Sequence, residues 1–168
     1  GGLAKAIFQE YLDANTYRTR KSLARYSVPG SIDVRGRIIN CYSQLLPSGP
    51  AERAPEAGWA SARQFSEVNP NVDTYAARLE WFEDCLRKVE GELQGQEDVK
   101  LAFPYRFGCG LAQGSWPDYE GRIRRMAARK PGWTIKKWNI DLTRSSQKDA
   151  KGMHSAERKV ESQEVTAG

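Results

Sequence analysis

The sequence predicts an α/β domain in which helices cover a mixed β-sheet. Apolar residues recur at helical spacing in three segments, and short apolar or alternating segments between them indicate strands. The predicted order is helix, strand, strand, helix, strand, helix, strand. Strands that alternate with helices are typical of layered α/β proteins. In such sheets, ligands bind outside the carboxyl ends of the strands.

The composition limits the classes of protein to which this chain can belong. A chain of 168 residues with 39% hydrophobic and 28% charged residues fits one domain, which would bury roughly 70% of its unfolded surface. No run approaches the roughly 20 apolar residues of a membrane span, and no signal-peptide pattern is present. Three cysteines without a Cys-x-x-Cys pair favour a reduced protein. We therefore predict an intracellular protein, cytoplasmic or nuclear, with no membrane partner, metal site or cofactor.

The amino-terminal half predicts one helix and two strands. Apolar side chains at helical spacing indicate an amphipathic helix over residues 2–12. Residues 31–35 alternate like an edge strand, and residues 37–44 indicate a second, more buried strand, with Gly36 between the two. Residues 45–72 hold several prolines and glycines and are predicted to form a long loop.

The clearest helix follows that loop. Its apolar positions recur at alternating spacings of four and three residues, at Tyr75, Leu79, Phe82, Leu86, Val89 and Leu93. Asp73 or Thr74 is expected to cap its start, and Gly95 its end. We predict that this apolar stripe and Cys85 belong to the core.

Three more elements complete the predicted domain. Residues 99–103 indicate a strand, a helix begins at Trp116 and ends before Pro131, and residues 133–140 indicate the last strand.

The chain divides by composition into a domain and a tail. The domain is placed at residues 1–141. Residues 142–168 are rich in Ser, Lys, Gln, Glu and Ala and hold almost no large apolar residues. This composition predicts a disordered polar tail.

A glycine-rich loop lies between the strand over 99–103 and the helix that begins at Trp116. It holds Gly108, Gly110 and Gly114. Glycine lets backbone N–H groups approach a phosphate, and a helix N-terminus adds partial positive charge. The loop therefore predicts a phosphate-bearing ligand such as a nucleotide. The alternative is an ordinary strand-to-helix connection that uses glycine for tight geometry.

Four segments in this order resemble motifs of one family. They are GGLAKAI at residues 1–7, IINCYSQ at 38–44, the helix at 74–89, and AFPYRFGCGL at 102–111. Together they resemble a macrodomain, the module that binds ADP-ribose. The resemblance covers about residues 1–140 and implies a three-layer α/β/α domain with a mixed sheet. It also implies that the chain begins inside the first ligand loop and lacks the family's first strand.

The resemblance implies a pyrophosphate held by two loops, with ADP-ribose or an ADP-ribosylated protein as the partner and ADP-ribose 1''-phosphate as a related ligand. Backbone N–H groups of Gly108, Cys109 and Gly110 in the second loop would donate to the pyrophosphate. Gly1 and Gly2 in the first loop would approach the distal ribose, and Phe107 and Leu111 would wall the pocket. The implied ligand-binding residues are Gly1, Gly2, Leu3, Asn40, Phe107, Gly108, Cys109, Gly110 and Leu111.

Catalysis is the less favoured interpretation of this resemblance. Hydrolytic members often place an aspartate where this chain has Ala112 or Ser115, and the nearest carboxylate is Asp118. If the protein is an ADP-ribosyl hydrolase or an ADP-ribose 1''-phosphate phosphatase, Asp118 is the candidate general base for a bound water. Cys109 is not expected to be a nucleophile, because the only histidine is His154, in the predicted tail.

Two other function classes stay open. One is a degenerate, truncated macrodomain that serves as a protein-interaction module. The other is a nucleic-acid-associated protein, since the net charge is +5 and a basic cluster lies at Arg124, Arg125, Arg129 and Lys130. A solvated helix end, where cations are stabilised by the helix dipole, is the preferred interpretation of that cluster.

Overall fold

A computed structural model describes residues 3–16, 28–45, 49–50, 73–139 and 161–164 of the chain. Within these ranges lie α1 (Leu3–Glu10), a 3-10 helix (Leu12–Ala14), β1 (Ile32–Arg35), β2 (Ile38–Cys41), α2 (Tyr75–Glu92), β3 (Lys100–Pro104), α3 (Trp116–Arg129), β4 (Thr134–Asn139) and β5 (Glu161–Glu164). The predicted mixed α/β class is confirmed. Most of the predicted long loop at 45–72 lies outside the described residues.

The strands β1 and β2 form an antiparallel hairpin. Ile32 lies opposite Cys41 at its open end, and Arg35 lies opposite Ile38 beside the turn. Gly36 in the turn has a φ of +56°, a conformation that glycine adopts without steric cost. The second strand ends at Cys41, three residues earlier than the sequence predicts.

The helix α2 begins at a side-chain cap. The Thr74 hydroxyl oxygen accepts a hydrogen bond of 3.1 Å from the Ala77 N–H, so Thr74 is the N-cap. Asp73, the other candidate cap, is instead completely buried. The helix ends at Glu92, and Gly95 follows it with a φ of +79°.

The strands β3, β4 and β5 form a mixed sheet in that spatial order. The first two are parallel, with Lys100 opposite Thr134 and Pro104 opposite Trp138. The helix α3 makes the crossover between them, as parallel neighbours require. The carboxyl ends of both parallel strands therefore lie at the same edge, where the glycine loop begins.

Four residues of the segment predicted to be a disordered tail form the strand β5. Glu161 lies opposite Asn139, and Glu164 lies opposite Lys136, in an antiparallel pair with β4. An edge strand presents unpaired N–H and C=O groups, and pairing satisfies them whatever the side chains are. Composition therefore misses this strand, since the pairing needs no large apolar residues. The rest of the segment lies outside the described residues.

The described strands form two sheets, whereas the sequence predicts one mixed sheet. Ile32–Arg35 and Ile38–Cys41 pair with each other along their whole length, and they form a two-stranded sheet of their own. Both strands contact α2. The hairpin is therefore held by packing on the helix, in addition to its own ladder.

A hydrophobic core joins α2 and α3 to both sheets. Its buried members come from α2, α3 and β4, and they are Leu79, Phe82, Leu86, Val89, Trp116, Tyr119, Ile123, Met126, Ala127 and Ile135. Ile32, Ile39 and Cys41 of the hairpin pack against this cluster. The apolar stripe and Cys85 are buried, except for partly exposed Tyr75 and Leu93 at its two ends.

Candidate functional site

The glycine loop, residues 105–115, leaves the carboxyl end of β3 and leads into α3. The Tyr105 N–H donates a hydrogen bond of 2.6 Å to the Trp138 carbonyl oxygen, so the start of the loop is tied to the neighbouring strand. The loop thus lies at the edge of the sheet where α/β proteins bind ligands.

The loop closes on itself through backbone hydrogen bonds. The Gly114 N–H donates to the Gly108 carbonyl at 2.9 Å, the Gln113 N–H to Gly110 at 2.9 Å, and the Cys109 N–H to Arg106 at 3.1 Å. The predicted role of Cys109 as a pyrophosphate donor therefore competes with an existing hydrogen bond inside the loop.

Two glycines are required by this geometry. Gly108 has a φ of +69°, which favours a residue without a side chain. A Cβ at Gly114 would lie 2.5 Å from Cε2 of Tyr119 and 2.7 Å from the Gly108 carbonyl oxygen. Gly110 differs, since a Cβ there would meet no atom within 4 Å. A side chain at Gly110 would therefore point into open space.

Five backbone amides of the loop donate to no acceptor in the described part of the chain. They belong to Arg106, Gly108, Gly110, Leu111 and Ala112, so three of them are consecutive. Gly108 and Gly110 are predicted pyrophosphate donors, whereas the Leu111 amide was missed, because the resemblance marks Leu111 only as an apolar wall. Neighbouring N–H groups without internal partners are the donors that an anion-binding loop uses.

The two predicted wall residues lie in different environments. The Leu111 side chain is 87% exposed. The Phe107 ring packs inward, with ring centroids 5.3 Å from Phe82, 5.2 Å from Tyr119 and 5.8 Å from Trp116. Phe107 thus anchors the loop to the core, and of these two residues Leu111 is the one that offers an open apolar surface.

The Cys109 thiol is half-buried beside the same loop. Its Sγ donates to the Phe107 carbonyl oxygen at 3.3 Å. Burial raises the pKa of the Cys109 thiol, and the positive charge of Arg106 opposes that shift. A thiol that keeps its proton is a poor nucleophile, which supports the expectation that Cys109 is not catalytic.

A hydroxyl group connects α2 to the start of α3. The Tyr75 hydroxyl donates to Oδ2 of Asp118 at 2.6 Å and accepts from the Ser115 N–H at 3.3 Å. Burial and then the Asp118 carboxylate raise the pKa of Tyr75, so this hydroxyl keeps its proton. The candidate base Asp118 is therefore held beside the glycine loop by a protonated tyrosine.

Arg78 was not predicted to be part of the site, although its side chain hydrogen-bonds to the backbone of the glycine loop. Its buried guanidinium pairs with Asp73, with Nε–Oδ1 and Nη2–Oδ2 distances of 2.6 and 2.7 Å. It also donates to the carbonyl oxygens of Ala112 at 3.1 Å and Gly49 at 3.2 Å. An arginine in an amphipathic helix usually faces solvent, so the sequence held no signal for this role.

The remaining predicted site residues lie elsewhere or outside the described ranges. Asn40 on β2 donates from Nδ2 to the Ala14 carbonyl oxygen at 3.3 Å, so it ties the 3-10 helix to the hairpin. Leu3 is the first residue of α1. Gly1 and Gly2 lie outside the described residues.

The three arginines of the basic cluster lie on α3 and are paired with carboxylates. The ion pairs are Arg125–Glu83 at 3.3 Å, Arg129–Glu83 at 3.3 Å, Arg129–Glu90 at 2.6 Å and Arg124–Glu120 at 3.0 Å. Each carboxylate offsets positive charge that would otherwise attract phosphate groups. This pairing favours a solvated helix face over a nucleic-acid surface.

Within the described ranges, no group of three or more His, Cys, Asp or Glu side chains is arranged to hold a metal ion. None of the helices there is long and apolar enough to cross a membrane.

Comparisons with protein-family models, curated proteins and solved structures found no significant match to this chain. The macrodomain resemblance, with the ligand that it implies, stays a prediction from the sequence motifs. The geometry of the glycine loop is independent of that resemblance.

Proposed function

We propose that the chain binds ADP-ribose, free or attached to a protein, through the glycine loop. The observation that carries the proposal is the set of five loop amides without acceptors in the described part of the chain, which includes the three consecutive amides of Gly110, Leu111 and Ala112. A diphosphate is rich in acceptor oxygens and carries negative charge, so it would satisfy these donors. The macrodomain motifs support ADP-ribose in particular.

Exposed apolar side chains beside the loop suit the rest of such a ligand. Tyr105, Leu111 and Trp138 are 45%, 87% and 39% exposed, although they are large and apolar. Nucleotide sites commonly combine a few placed polar groups with apolar and aromatic surface. A purine ring or a ribose face packed on these side chains would remove that surface from water.

A nucleic-acid-binding function is less well supported. The arginines of the basic cluster pair with Glu83, Glu90 and Glu120, so their charge is largely offset. A nucleic-acid ligand would need to displace these pairs.

Calorimetric titration of this chain with ADP-ribose tests the proposal. We expect micromolar binding that falls at least tenfold in Gly110→Glu. A side chain at Gly110 meets open space, so the new carboxylate should leave the fold intact and repel the diphosphate. The matched control is Gly132→Glu, which makes the same charge change at another exposed glycine with no atom within 4 Å of its Cβ.

Two results would contradict the proposal. One is the absence of ADP-ribose binding by this chain at millimolar ligand. The other is equal affinity of Gly110→Glu and Gly132→Glu, since the diphosphate would then lie away from the loop. Titration with DNA or RNA in the same buffers, at two salt concentrations, measures the nucleic-acid alternative, whose affinity should fall steeply with salt.

A further inference from the structure

Arg106 carries the charge of the glycine loop. Among residues 105–115, no other side chain is acidic or basic. The Arg106 side chain is exposed, and within the described part of the chain it makes no hydrogen bond or ion pair. It therefore differs from the arginines of the basic cluster, whose charges are offset by carboxylates.

The backbone at Arg106 has a conformation that an arginine rarely adopts. The Phe107 N–H donates to the Pro104 carbonyl oxygen at 3.4 Å, which closes a four-residue turn with Arg106 as its third residue. The φ of Arg106 is +55°. Glycine or asparagine usually occupies such a position, because a larger side chain costs free energy there. The turn therefore does not explain the arginine, and an unfavourable backbone conformation in a loop points to a role for the side chain.

A second turn brings Arg106 close to the amides that have no acceptor. The Cys109 N–H donates to the Arg106 carbonyl oxygen at 3.1 Å, which places the Cα atoms of these two residues within about 7 Å of each other. Gly108 and Gly110, whose amides are available, lie on either side of Cys109 in the chain. An anion bound by these amides is therefore within the length of an arginine side chain from the Arg106 backbone.

The other charges beside the loop are already compensated. Asp118 lies in the first turn of α3, where its carboxylate accepts from the Tyr75 hydroxyl and interacts favourably with the helix dipole. The positive end of this helix, which the sequence predicts to help bind a phosphate, thus already faces a negative charge. The Arg78 guanidinium is buried and paired with Asp73. Arg106 is the side chain left to supply positive charge to an anion at the loop amides.

We propose that Arg106 is a ligand-binding residue, whose guanidinium pairs with the diphosphate at the loop amides and sets the preference of the site for anionic ligands. This inference rests on the proposed binding of a diphosphate by the loop and adds a residue to it. A guanidinium presents a planar fork of N–H donors that matches two oxygens of a phosphate group. The amides fix the direction of the anion, and Arg106 adds the charge that neutral amides lack.

Calorimetric titration of the whole chain with ADP-ribose, and separately with inorganic diphosphate, tests the proposal. In Arg106→Gln, the affinity for both ligands should fall about tenfold or more, because a charge-assisted hydrogen bond is lost. The affinity of this variant should also depend less on salt than that of the wild type, since one charged contact no longer responds to screening. Arg106→Lys keeps the charge without the planar fork, so it should keep part of the lost affinity.

The matched control is Arg87→Gln, which makes the same charge change on α2. Arg87 is 61% exposed and lies roughly 14 Å along the helix axis from Arg78, which contacts the loop. Its substitution should leave both affinities unchanged. An equal loss of affinity in Arg87→Gln and Arg106→Gln would show that net charge, and not Arg106, sets the affinity.

Arg106→Gly separates a role in ligand binding from a role in the fold. Glycine adopts a φ of +55° without steric cost, so this variant should unfold at the wild-type temperature or above it. Its affinity should nevertheless fall as far as that of Arg106→Gln. If affinity falls only in variants that also unfold at a lower temperature, Arg106 is structural and the proposal is wrong.

The two ligands distinguish failure of this inference from failure of the proposed function. If the wild type and Arg106→Gln bind ADP-ribose equally well, the role of Arg106 is refuted, while ADP-ribose binding stands. If the wild type binds diphosphate but not ADP-ribose, the proposed function fails, and a tenfold loss of diphosphate affinity in Arg106→Gln still supports Arg106 as an anion-binding residue. Binding of neither ligand by the wild type refutes both.

Discussion

Arg78 and Asp73 form a two-point ion pair inside the protein, with N–O distances of 2.6 and 2.7 Å and almost no surface exposed on either side chain. The same guanidinium donates to the Ala112 carbonyl oxygen in the glycine loop. A buried charge is tolerated when it is paired and its donors are satisfied. The pair therefore connects the start of α2 to the proposed binding loop, which makes the loop geometry depend on a residue outside it.

Replacing Arg78 by methionine should strongly destabilise the protein. The change leaves Asp73 buried without its partner, and breaking a buried pair costs about 3–5 kcal/mol. The control is Arg87→Met on the same helix, because Arg87 is 61% exposed and lies 3.8 Å from Glu83. That variant should lose less than about 1 kcal/mol. Urea unfolding measures both, and equal stability of the two variants would contradict a structural role for the buried pair.

Gly114→Ala should weaken both the fold and ADP-ribose binding. Its Cβ would collide with Tyr119 and with the backbone oxygen of Gly108, and relief of such overpacking costs about 1–3 kcal/mol. Because the loop must shift to relieve the contact, the amides proposed to bind the diphosphate should lose their arrangement. Thermal unfolding and calorimetric titration measure the two effects.

The control for Gly114→Ala is the same substitution at Gly91, which lies in α2 with no atom within 4 Å of its Cβ. Alanine in an open helical site should raise the free energy of unfolding by about 0.5–1 kcal/mol and leave ligand affinity unchanged. A Gly114→Ala protein that matches Gly91→Ala in both measurements would show that the loop does not need a glycine there.

The elements were predicted well where local pattern decides them. Helical spacing located α2 and α3, and the apolar segment before Pro104 located β3, because the buried faces of these elements repeat with their own periods. The strand Glu161–Glu164 was missed, since its pairing with β4 is a backbone interaction with a distant segment. Periodicity carries no information about such partners.

The glycine loop was located from the sequence, but the residues that hold it were not. Glycine spacing marked Gly108 and Gly114. Gly108 has a positive φ, and a Cβ at Gly114 would collide with its neighbours, so each position requires a residue without a side chain. The contact between Arg78 and Ala112 spans 34 residues. Contacts between distant segments follow from the packing of whole elements, which a single sequence does not specify.

The ionised Glu120 carboxylate should stabilise the fold, and this contribution should be lost at acidic pH. Hydrogen bonding to Lys137, at 2.8 Å, lowers the pKa of Glu120, with smaller help from the charges of Lys137 and Arg124. A lowered pKa in the folded state stabilises the protein above the unfolded value of about 4.3. That contribution is lost as the pH falls through the lowered folded pKa.

The stability difference between wild type and Glu120→Gln should therefore be about 1 kcal/mol at neutral pH and shrink as the pH falls below about 4. Urea unfolding at several pH values measures it. The control is Glu97→Gln, which removes an exposed carboxylate beyond the end of α2. A difference for Glu120→Gln that stays constant across this range would show that ionisation of Glu120 does not stabilise the fold.

Asp118 is expected to position the start of α3 and not to act as a general base. Its Oδ2 already accepts the Tyr75 hydroxyl proton at 2.6 Å, and Tyr75 also accepts from the Ser115 N–H. Tyr75→Phe and Asp118→Asn should each cost about 0.5–1.5 kcal/mol. The double variant should cost less than the sum of the two single variants, because both changes remove the same hydrogen bond.

Release of ADP-ribose from a modified protein is measured for the same variants, beside their stability. If Asp118→Asn lowers that rate about 100-fold or more while ADP-ribose affinity stays constant, Asp118 is a base and the binding-only interpretation is wrong. If the rate follows affinity in all three variants, the carboxylate serves only to hold the helix start against the loop.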